Sequence, residues 1–347
     1  MTRGSIPKSI CIVRLSALGD TLMLVPLIRT LQASLRDTTI TWVISRPAYD
    51  LVEGMEGVEF IVIDKPKSLA DYWRFKKQMS TRTFDVLLAV QACYRANFLY
   101  PLIRASRKIG YDTRRGNDFH CCFIHESIEP GHDHTLDGFL RFADVLGIMN
   151  KEIRWDLPIS TADREWARGR LPKDAGPIVL VNPAASKAER SWSVDRYIEI
   201  IQYLQSRWQA QVVLTGGPGD YDKQLGDAIC GVVPVKSLIG QSKPKQLLAM
   251  IEQADLLICP DTGPSHMAAA VATPVVALHA VTSAEISGPY TYRHLAVDCY
   301  PEAVKVVLKK TAETNHWGTQ VHGAKVMELV ELAAVIAKIE KVFKIAS

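Results

Sequence analysis

The sequence has 347 residues with a formal net charge of +4, and 48% of its residues are hydrophobic, so two soluble globular domains are predicted. The charge is too small to predict nucleic-acid binding, although it suits an anionic substrate. His266, Pro274 and His279 interrupt the most apolar window, residues 262–281, and the N-terminus lacks the apolar core of a secretory signal. A cytoplasmic protein without a transmembrane helix is therefore predicted. Seven cysteines without Cys-x-x-Cys spacing predict reduced thiols.

Short β-rich runs alternate with helical patterns in the first half of the chain. Strands are predicted over 10–14, 40–44, 60–63 and 86–90, and helices over 21–35, 49–53, 70–79 and 97–105. The polar segment 110–133 is predicted to be a functional loop, and a helix follows it over 135–146. Strands separated by helices predict parallel βαβ units in a doubly wound sheet.

The alternation restarts after a turn-rich stretch at residues 171–177. Strands are predicted over 178–181, 211–214, 256–259 and 275–279, and helices over 194–207, 223–229, 246–251, 267–272 and 325–345. The fold class predicted from the sequence is α/β, with two Rossmann-like doubly wound domains. Their predicted bounds are residues 1–174 and 175–324, followed by a C-terminal helix at 325–347.

The segment 261–266, Asp-Thr-Gly-Pro-Ser-His, lies between a predicted strand and a predicted helix. Free backbone N–H groups and the helix dipole attract phosphate at such a turn, so the segment predicts a site for a phosphorylated ligand. The alternative is an ordinary N-cap, in which Asp261 or Thr262 caps the helix, Gly263 permits the turn and Pro264 takes the first helical position.

The first predicted strand runs into the segment 14–20, Arg-Leu-Ser-Ala-Leu-Gly-Asp. Ligands of open α/β sheets bind outside the carboxyl ends of the strands, which is where this turn lies. Ser16 and Gly19 allow close backbone approach, and Asp20 either faces the cleft or caps the next helix. The spacing differs from Gly-x-Gly-x-x-Gly, and a carboxylate here would repel a pyrophosphate, so a dinucleotide-dependent dehydrogenase is disfavoured.

Two more strand ends in the second half carry residues that suit phosphate. The loop after residue 181 contains Ser186, Lys187 and Arg190, which could hold a diphosphate or form a solvated basic loop. The turn after residue 214 is rich in glycine and contains Gly217 and Asp220. Walker, Gly-x-Ser-x-Gly and His-Glu-x-x-His signatures are absent from the sequence, so a hydrolase or nucleoside triphosphatase is not supported.

Four motifs, in this order, resemble those of the ADP-heptose-dependent lipopolysaccharide heptosyltransferases of glycosyltransferase family nine. They are Arg-Leu-Ser-Ala-Leu-Gly-Asp, Asn-Pro-Ala-Ala-Ser through Ser-Trp, Asp-Thr-Gly-Pro-Ser-His and Gly-Pro-Tyr, and together they span almost the whole chain. The resemblance implies the GT-B fold, in which two Rossmann-like domains face each other across a cleft. It also implies an inverting glycosyltransferase that uses no cofactor and no metal, with ADP-heptose as the donor substrate.

By resemblance, Asp20 is the general base, and Arg190 stands where the family usually has a diphosphate-binding lysine. Either Arg190 or the nearby Lys187 is therefore expected to bind the diphosphate. The residues expected in the donor site are Ser186, Lys187, Gly217, Asp220, Asp261, Thr262, Gly263 and His266.

The implied acceptor is the anionic inner core of lipopolysaccharide, with Kdo or heptose linked to lipid A. Its carboxylates and phosphates suit cationic and hydroxyl side chains of the first domain. The residues expected to bind it are Ser16, Arg46, Arg95, Arg114 and Arg115. Because this acceptor is a lipid, the enzyme is expected at the cytosolic face of the inner membrane as a peripheral protein.

The sequence motifs, without the resemblance, are also compatible with two other functions. A GT-B-fold transferase or epimerase that uses a UDP-linked sugar could share this spacing, because backbone groups often contact the base. A non-catalytic nucleotide-sugar-binding protein would keep the second-half motifs without needing a carboxylate at position 20. The resemblance favours the heptosyltransferase and leaves open whether the first or the second heptose is added.

Overall fold

The computed structural model describes residues 6–131, 133–172, 176–311 and 314–346. The chain forms two compact units, Met1–Pro158 and Ile159–Ser347. Each unit contains one six-stranded sheet whose strands all pair in parallel. The predicted α/β class with two Rossmann-like units is confirmed.

The first unit alternates strands with helices along the chain. Its strands are β1 (Ser9–Val13), β2 (Thr39–Ser45), β3 (Val58–Ile63), β4 (Thr83–Leu88), β5 (Arg104–Gly110) and β6 (Glu126–Ser127). Its helices are α1 (Leu18–Ser34), α2 (Arg46–Val52), α3 (Leu69–Met79), α4 (Tyr94–Asn97) and α5 (Thr135–Val145). The strand order is β3-β2-β1-β4-β5-β6, which is the dinucleotide-binding order with its reversal between β1 and β4.

The second unit repeats this topology, and both of its edge strands contain two residues. Its strands are β7 (Ile178–Val181), β8 (Gln211–Leu214), β9 (Lys236–Ser237), β10 (Leu256–Pro260), β11 (Val275–His279) and β12 (Val297–Asp298). Its helices are α6 (Thr161–Arg168), α7 (Val194–Trp208), α8 (Asp220–Cys230), α9 (Pro244–Glu252), α10 (Gly263–Ala270), α11 (Ala284–Ser287), α12 (Tyr300–Ala303) and α13 (Leu332–Ala346). The order β12-β11-β10-β7-β8-β9 reverses between β7 and β10.

Continuous apolar runs form the central strands of both sheets. Every residue of β10 and β11 is buried, as are the last four residues of β1. Strands that are covered on both faces lack the alternation of apolar and polar residues found in half-exposed strands. This property made these strands easy to locate in the sequence.

The helix predicted over residues 97–105 is wrong. The segment contains the end of α4, a 3-10 turn at Tyr100–Leu102 and the start of β5. Strand β5 has the sequence Arg-Ala-Ser-Arg-Lys-Ile-Gly, and its polar residues hid its pairing with β4 and β6. The polar side chains of β5 have partners on the neighbouring strand, since Arg107 Nε donates to Glu126 Oε1 of β6 at 2.7 Å.

The first compact unit ends at Pro158 and the second begins at Ile159. The boundary predicted from the sequence, at residues 174 and 175, lies outside the described residues. Helix α6, which was not predicted, packs against α9 of the second unit. Arg164 Nε and Nη2 donate to the Glu252 carboxylate at 2.7 and 2.8 Å. The segment that ends near Pro158 stays with the first unit, because Trp155 Nε1 donates to the Leu22 carbonyl of α1 at 2.9 Å.

The C-terminal helix packs on the core of the second unit through its predicted apolar face. Ile339 and Phe343 are buried there, and Leu332 and Ile336 are partly buried against the same core. Helix α13 begins at Leu332 rather than at 325, because a 3-10 turn occupies Val326–Leu329.

All seven cysteines are free thiols, as predicted, although Cys121, Cys122 and Cys230 are exposed. Within the described ranges, no helix is both long enough and apolar enough to cross a bilayer.

Candidate active site

The loop after β1 lies at the carboxyl edge of the first sheet, beside the point where the strand order reverses. Leu15 N–H donates to Gln91 Oε1 at 2.7 Å, and the Ser45 hydroxyl donates to the Leu15 carbonyl. Gln91 follows β4 and Ser45 ends β2, so the neighbouring strands hold the loop from both sides. Ser16 is half-buried in this loop.

Asp20 occupies the third position of α1 and makes two contacts. Its Oδ2 accepts the Ala17 N–H at 3.0 Å, and the same oxygen pairs with the Arg14 guanidinium. The side chain is 29% exposed, so the carboxylate remains open to a ligand. The N-cap residue of α1 is Ala17, so the interpretation of Asp20 as the N-cap is wrong; its carboxylate instead accepts the N–H of the N-cap residue from the third helical position.

Arg14 fixes the Asp20 carboxylate, a partner that was not predicted from the sequence. Arg14 Nη1 donates to the Val90 carbonyl at 2.7 Å, and the guanidinium lies 5.3 Å from the centre of the Phe139 ring. Burial opposes the charge, but the neighbouring Asp20 carboxylate raises the pKa of Arg14 above its ordinary value. The available signal was an arginine immediately after the apolar residues 10–13.

In the second unit, two separate sequence motifs meet at the carboxyl edge of the sheet. Arg190 follows β7, Asp261 follows β10, and these strands are neighbours. Arg190 Nη1 lies 3.6 Å from Asp261 Oδ2, with the two side chains only 16% and 10% exposed. The structure thus brings together the two charged residues that the resemblance assigns to the donor.

Thr282, which sequence reasoning also missed, holds Asp261 from the other side. Its hydroxyl donates to Asp261 Oδ2 at 2.6 Å and lies 3.4 Å from His279 Nδ1. Both residues belong to the end of β11 and the loop after it. Three strand ends therefore converge on the Asp261 carboxylate.

Three buried polar atoms along this edge make no hydrogen bond within the described part of the chain. They are Arg190 Nε, Thr215 Oγ1 and His279 Nε2. Buried polar groups are nearly always paired, so unpaired buried atoms at one edge of a sheet indicate a place where a ligand could bind. Thr215 and His279 follow or end strands β8 and β11, so their positions match the rule for open α/β sheets.

Helix α10 begins directly beyond Asp261. Thr262 is the N-cap residue and its side chain makes no capping hydrogen bond, while Gly263 and Pro264 are the first two helical residues. The alternative that Asp261 caps this helix is wrong, because its carboxylate contacts Arg190 and Thr282 instead. His266 is buried one turn into the helix.

The other predicted donor residues lie around this edge with greater exposure. Ser186 and Lys187 are exposed, and Lys187 Nζ donates to Gln320 Oε1 at 3.1 Å. Gly217 N–H donates to Asp222 Oδ1 at 2.7 Å, so Asp222 closes the glycine-rich turn. Asp220 is exposed at the first position of α8.

The predicted acceptor arginines divide into two groups. Arg46, Arg95 and Arg114 are exposed in the first unit, at or after the ends of β2, β4 and β5. Arg115 is buried, and its Nη2 donates to the Gly131 carbonyl at 2.5 Å. The Arg115 guanidinium thus points into the loop and ties its two ends together.

His120 anchors the loop that was predicted over residues 110–133. Its Nε2 accepts the Tyr111 N–H at 3.1 Å, and its Nδ1 lies 2.8 Å from Asn97 Oδ1. This network assigns the neutral tautomer with the proton on Nδ1, because Nε2 must accept. Burial lowers the pKa of His120 from 6.5 to about 4.

The sequence matches the family described as "Glycosyltransferase family 9 (heptosyltransferase)" over residues 72–317. The chain belongs to this family. It is therefore a glycosyltransferase of the heptosyltransferase type, as the sequence motifs predicted.

Similar proteins agree with this assignment over most of the chain. The lipopolysaccharide core heptosyltransferase OpsX of Haemophilus influenzae is 29% identical over 96% of this chain and 97% of its own length. Lipopolysaccharide heptosyltransferase 3 of Escherichia coli K12 is 28% identical over 79% of this chain and 83% of its own length. The solved structure of E. coli heptosyltransferase WaaC with ADP superposes with a TM-score of 0.72 at 18% identity, covering 96% of this chain and 99% of that one. The GT-B fold class predicted from the sequence is confirmed.

The described residues of this family 9 enzyme contain no group of three or more His, Cys, Asp or Glu side chains that could hold a metal ion.

The buried neutral His120 predicts a pH dependence of stability in the first unit. Because its pKa is lower in the folded chain, the unfolded chain takes up the proton first as the pH falls below 6.5. Stability should therefore decrease from pH 6.5 towards pH 4, by up to about 3 kcal/mol for this group. Urea unfolding of the wild type and His120→Gln across this range measures the difference.

The exposed His316 provides the matched control. His316→Gln should keep the wild-type pH dependence, whereas His120→Gln should lose less stability on acidification. Equal pH dependences for all three proteins would mean that His120 titrates as an exposed histidine does.

Proposed function

We propose that this family 9 enzyme transfers heptose from ADP-heptose to the inner core of lipopolysaccharide in a single inverting displacement. The observation that carries the proposal is the convergence of Arg190, Asp261 and the start of α10 at one sheet edge. The names of the relatives supply the sugar and the acceptor class, and the ADP in the similar WaaC structure supports the nucleotide. The acceptor is Kdo or heptose linked to lipid A.

The departing ADP needs a site that stabilises its negative charge. Arg190 can supply this charge, because its guanidinium offers planar paired N–H donors and its Nε makes no hydrogen bond within the described part of the chain. The N-terminal end of α10 adds a favourable dipole for a phosphate. Asp261, held by Thr282, accepts hydrogen bonds from the donor's sugar hydroxyls.

The acceptor hydroxyl needs a base to take its proton as it attacks the anomeric carbon. Asp20 suits this role because its carboxylate is held by the Arg14 guanidinium and is partly open to solvent. Attack from the face opposite the ADP inverts the anomeric configuration. The new glycosidic bond forms as the bond to the diphosphate breaks, and the proton passes to Asp20.

Exposed arginines of the first unit suit the anionic acceptor. Arg46, Arg95 and Arg114 lie at the same sheet edge as Asp20. At that edge they can bind the carboxylates and phosphates of the acceptor. Because lipid A is embedded in a bilayer, we place the enzyme at the cytosolic face of the inner membrane as a peripheral protein.

Removal of the charge at Asp20 tests the base. Asp20→Asn keeps an oxygen for the Ala17 N–H but cannot take a proton, so kcat should fall by about 10² to 10⁴ while ADP binding is retained. Turnover is measured as ADP release with a panel of truncated core acceptors, and ADP affinity by calorimetry.

Asp71 offers a matched control, because it also stands third in its helix and accepts the backbone N–H of Ser68 at 2.9 Å. Asp71→Asn should leave kcat unchanged. If Asp20→Asn is as mild as Asp71→Asn, Asp20 only accepts the N–H of the N-cap residue and is not the base.

A comparison of Arg190→Ala with Lys187→Ala identifies the cation that binds the diphosphate. Arg190→Ala should lower kcat/KM. The decrease should correspond to a loss of about 2–4 kcal/mol of transition-state stabilisation, which is typical of removing one oxyanion donor. Lys187→Ala should have a small effect, because that side chain is exposed and contacts Gln320. Should Lys187→Ala carry the whole loss, the diphosphate lies against Lys187 instead.

Thermal shift identifies the donor. A ligand that binds only the folded state stabilises it by about 2.7 kcal/mol at one hundred times its dissociation constant. ADP and ADP-heptose should raise Tm, whereas UDP-sugars and NAD should have little effect. A larger shift with a UDP-sugar would overturn the heptose donor and leave the transferase family intact.

The same assay separates the roles within the donor site. Asp261→Ala should weaken ADP-heptose more than ADP, because only the sugar loses its partner. Asp195, exposed in the first turn of α7, is the control position, and Asp195→Ala should affect neither ligand.

A further inference from the structure

Helix α3 turns two large apolar side chains away from the core of the first unit. Leu69 and Trp73 are 88% and 69% exposed and stand four residues apart, so they share one face of the helix. Phe75 and Met79, on another face, are buried in the core. The exposed face is therefore additional to the face that anchors α3, and folding of the unit does not require it to be apolar.

Lysines surround these two apolar side chains. Lys65 and Lys67 lie in the loop before α3, and Lys76 and Lys77 lie one turn beyond Trp73, all four exposed. The acidic residues nearby are Asp64 and Asp71. Asp71 is engaged by the N–H groups of Lys67 and Ser68 and by Arg74. We call Lys65, Lys67, Leu69, Trp73, Lys76 and Lys77 the α3 surface.

Aromatic rings continue from α3 into the neighbouring elements, with Tyr72 and Phe123 partly buried against the core. The Tyr72 ring lies 6.2 Å from the Phe98 ring, which lies 5.8 Å from the Phe123 ring. Tyr94, Phe98 and Phe119 are themselves exposed. An apolar patch of this kind with a polar rim is typical of a protein or membrane contact.

The first part of the α3 surface, the loop before α3 and the first turn of the helix, lies at the carboxyl edge of the first sheet. The loop before α3 follows β3, α4 follows β4, and Phe119 lies in the loop after β5. All three strands run parallel to β1, so these segments share the carboxyl edge at which Asp20 lies. A partner bound at the start of α3 would lie at the same sheet edge as Asp20.

We propose that the α3 surface binds the anionic phospholipid surface of a bilayer. Tryptophan and leucine side chains flanked by lysines are the composition of helices that lie in the membrane interface, where rings enter the headgroup region and lysines meet phosphates. This inference rests on the proposed function, since a lipid-linked acceptor must present its sugars beside Asp20 while its acyl chains stay in the bilayer.

Vesicle co-sedimentation of the full chain tests the surface without donor or acceptor. The wild type should bind vesicles of phosphatidylcholine with phosphatidylglycerol more tightly than vesicles of phosphatidylcholine alone, and salt should weaken the binding. Leu69→Ser with Trp73→Ser should lower the partition coefficient at least about tenfold, and replacing the four lysines of the surface by glutamine should do likewise.

Matched controls come from exposed residues elsewhere. Met149→Ser with Val232→Ser removes apolar side chains that are 78% and 63% exposed, and Lys305→Gln with Lys341→Gln removes two exposed charges. Both control variants should bind vesicles as the wild type does. Heptose transfer to a deacylated soluble acceptor without vesicles should be unchanged in Leu69→Ser with Trp73→Ser.

The remaining outcomes test the membrane surface and the proposed function separately. Vesicle binding that survives both surface variants overturns the proposal, as does a concentration-dependent dimer that only these variants dissociate. If heptose transfer is absent while vesicle binding depends on the α3 surface, the proposed function fails and the membrane surface stands. If transfer to soluble acceptor is normal but vesicles are not bound, only the membrane surface fails.

Discussion

Parallel pairing of the strands around β1 and β7 is the constraint on which both sites depend. Because all strands of a sheet run the same way, every loop that follows a strand lies at one edge. The order reversal places the loops after β1 and β4, and after β7 and β10, side by side. Residues far apart in sequence, such as Arg190 and Asp261, are thereby brought to 3.6 Å.

Each unit places a cation against a carboxylate at its reversal point. Arg14 pairs with Asp20 in the first, and Arg190 lies against Asp261 in the second. A partly buried charge is costly unless it is paired, so each pair offsets part of the desolvation of its members. In both pairs the arginine has a buried Nε that makes no hydrogen bond within the described ranges, and Arg14 also donates through Nη1 to the Val90 carbonyl.

The local sequence was sufficient to locate the strands that are buried on both faces, because such strands consist of continuous apolar residues. Strands such as β10 and β11 are covered on both faces, and their apolar runs could be located directly. Strand β5 and helix α6 were missed, because their polar residues are satisfied by partners distant in sequence. Arg107 pairs with Glu126, and Arg164 pairs with Glu252. Such partners cannot be found from periodicity.

The sequence by itself determined the two-unit α/β class, the family and the motif residues Asp20, Arg190 and Asp261, because strand-to-helix turns and their polar residues are local features. Only the tertiary structure decided what those residues contact. The strand order makes Arg14 the partner of Asp20 and Thr282 the partner of Asp261. Arg115 donates a hydrogen bond within its own loop. Leu69 and Trp73 of α3 are exposed. Contacts between strand ends and the solvent exposure of a helix face are set by packing, which local sequence does not encode.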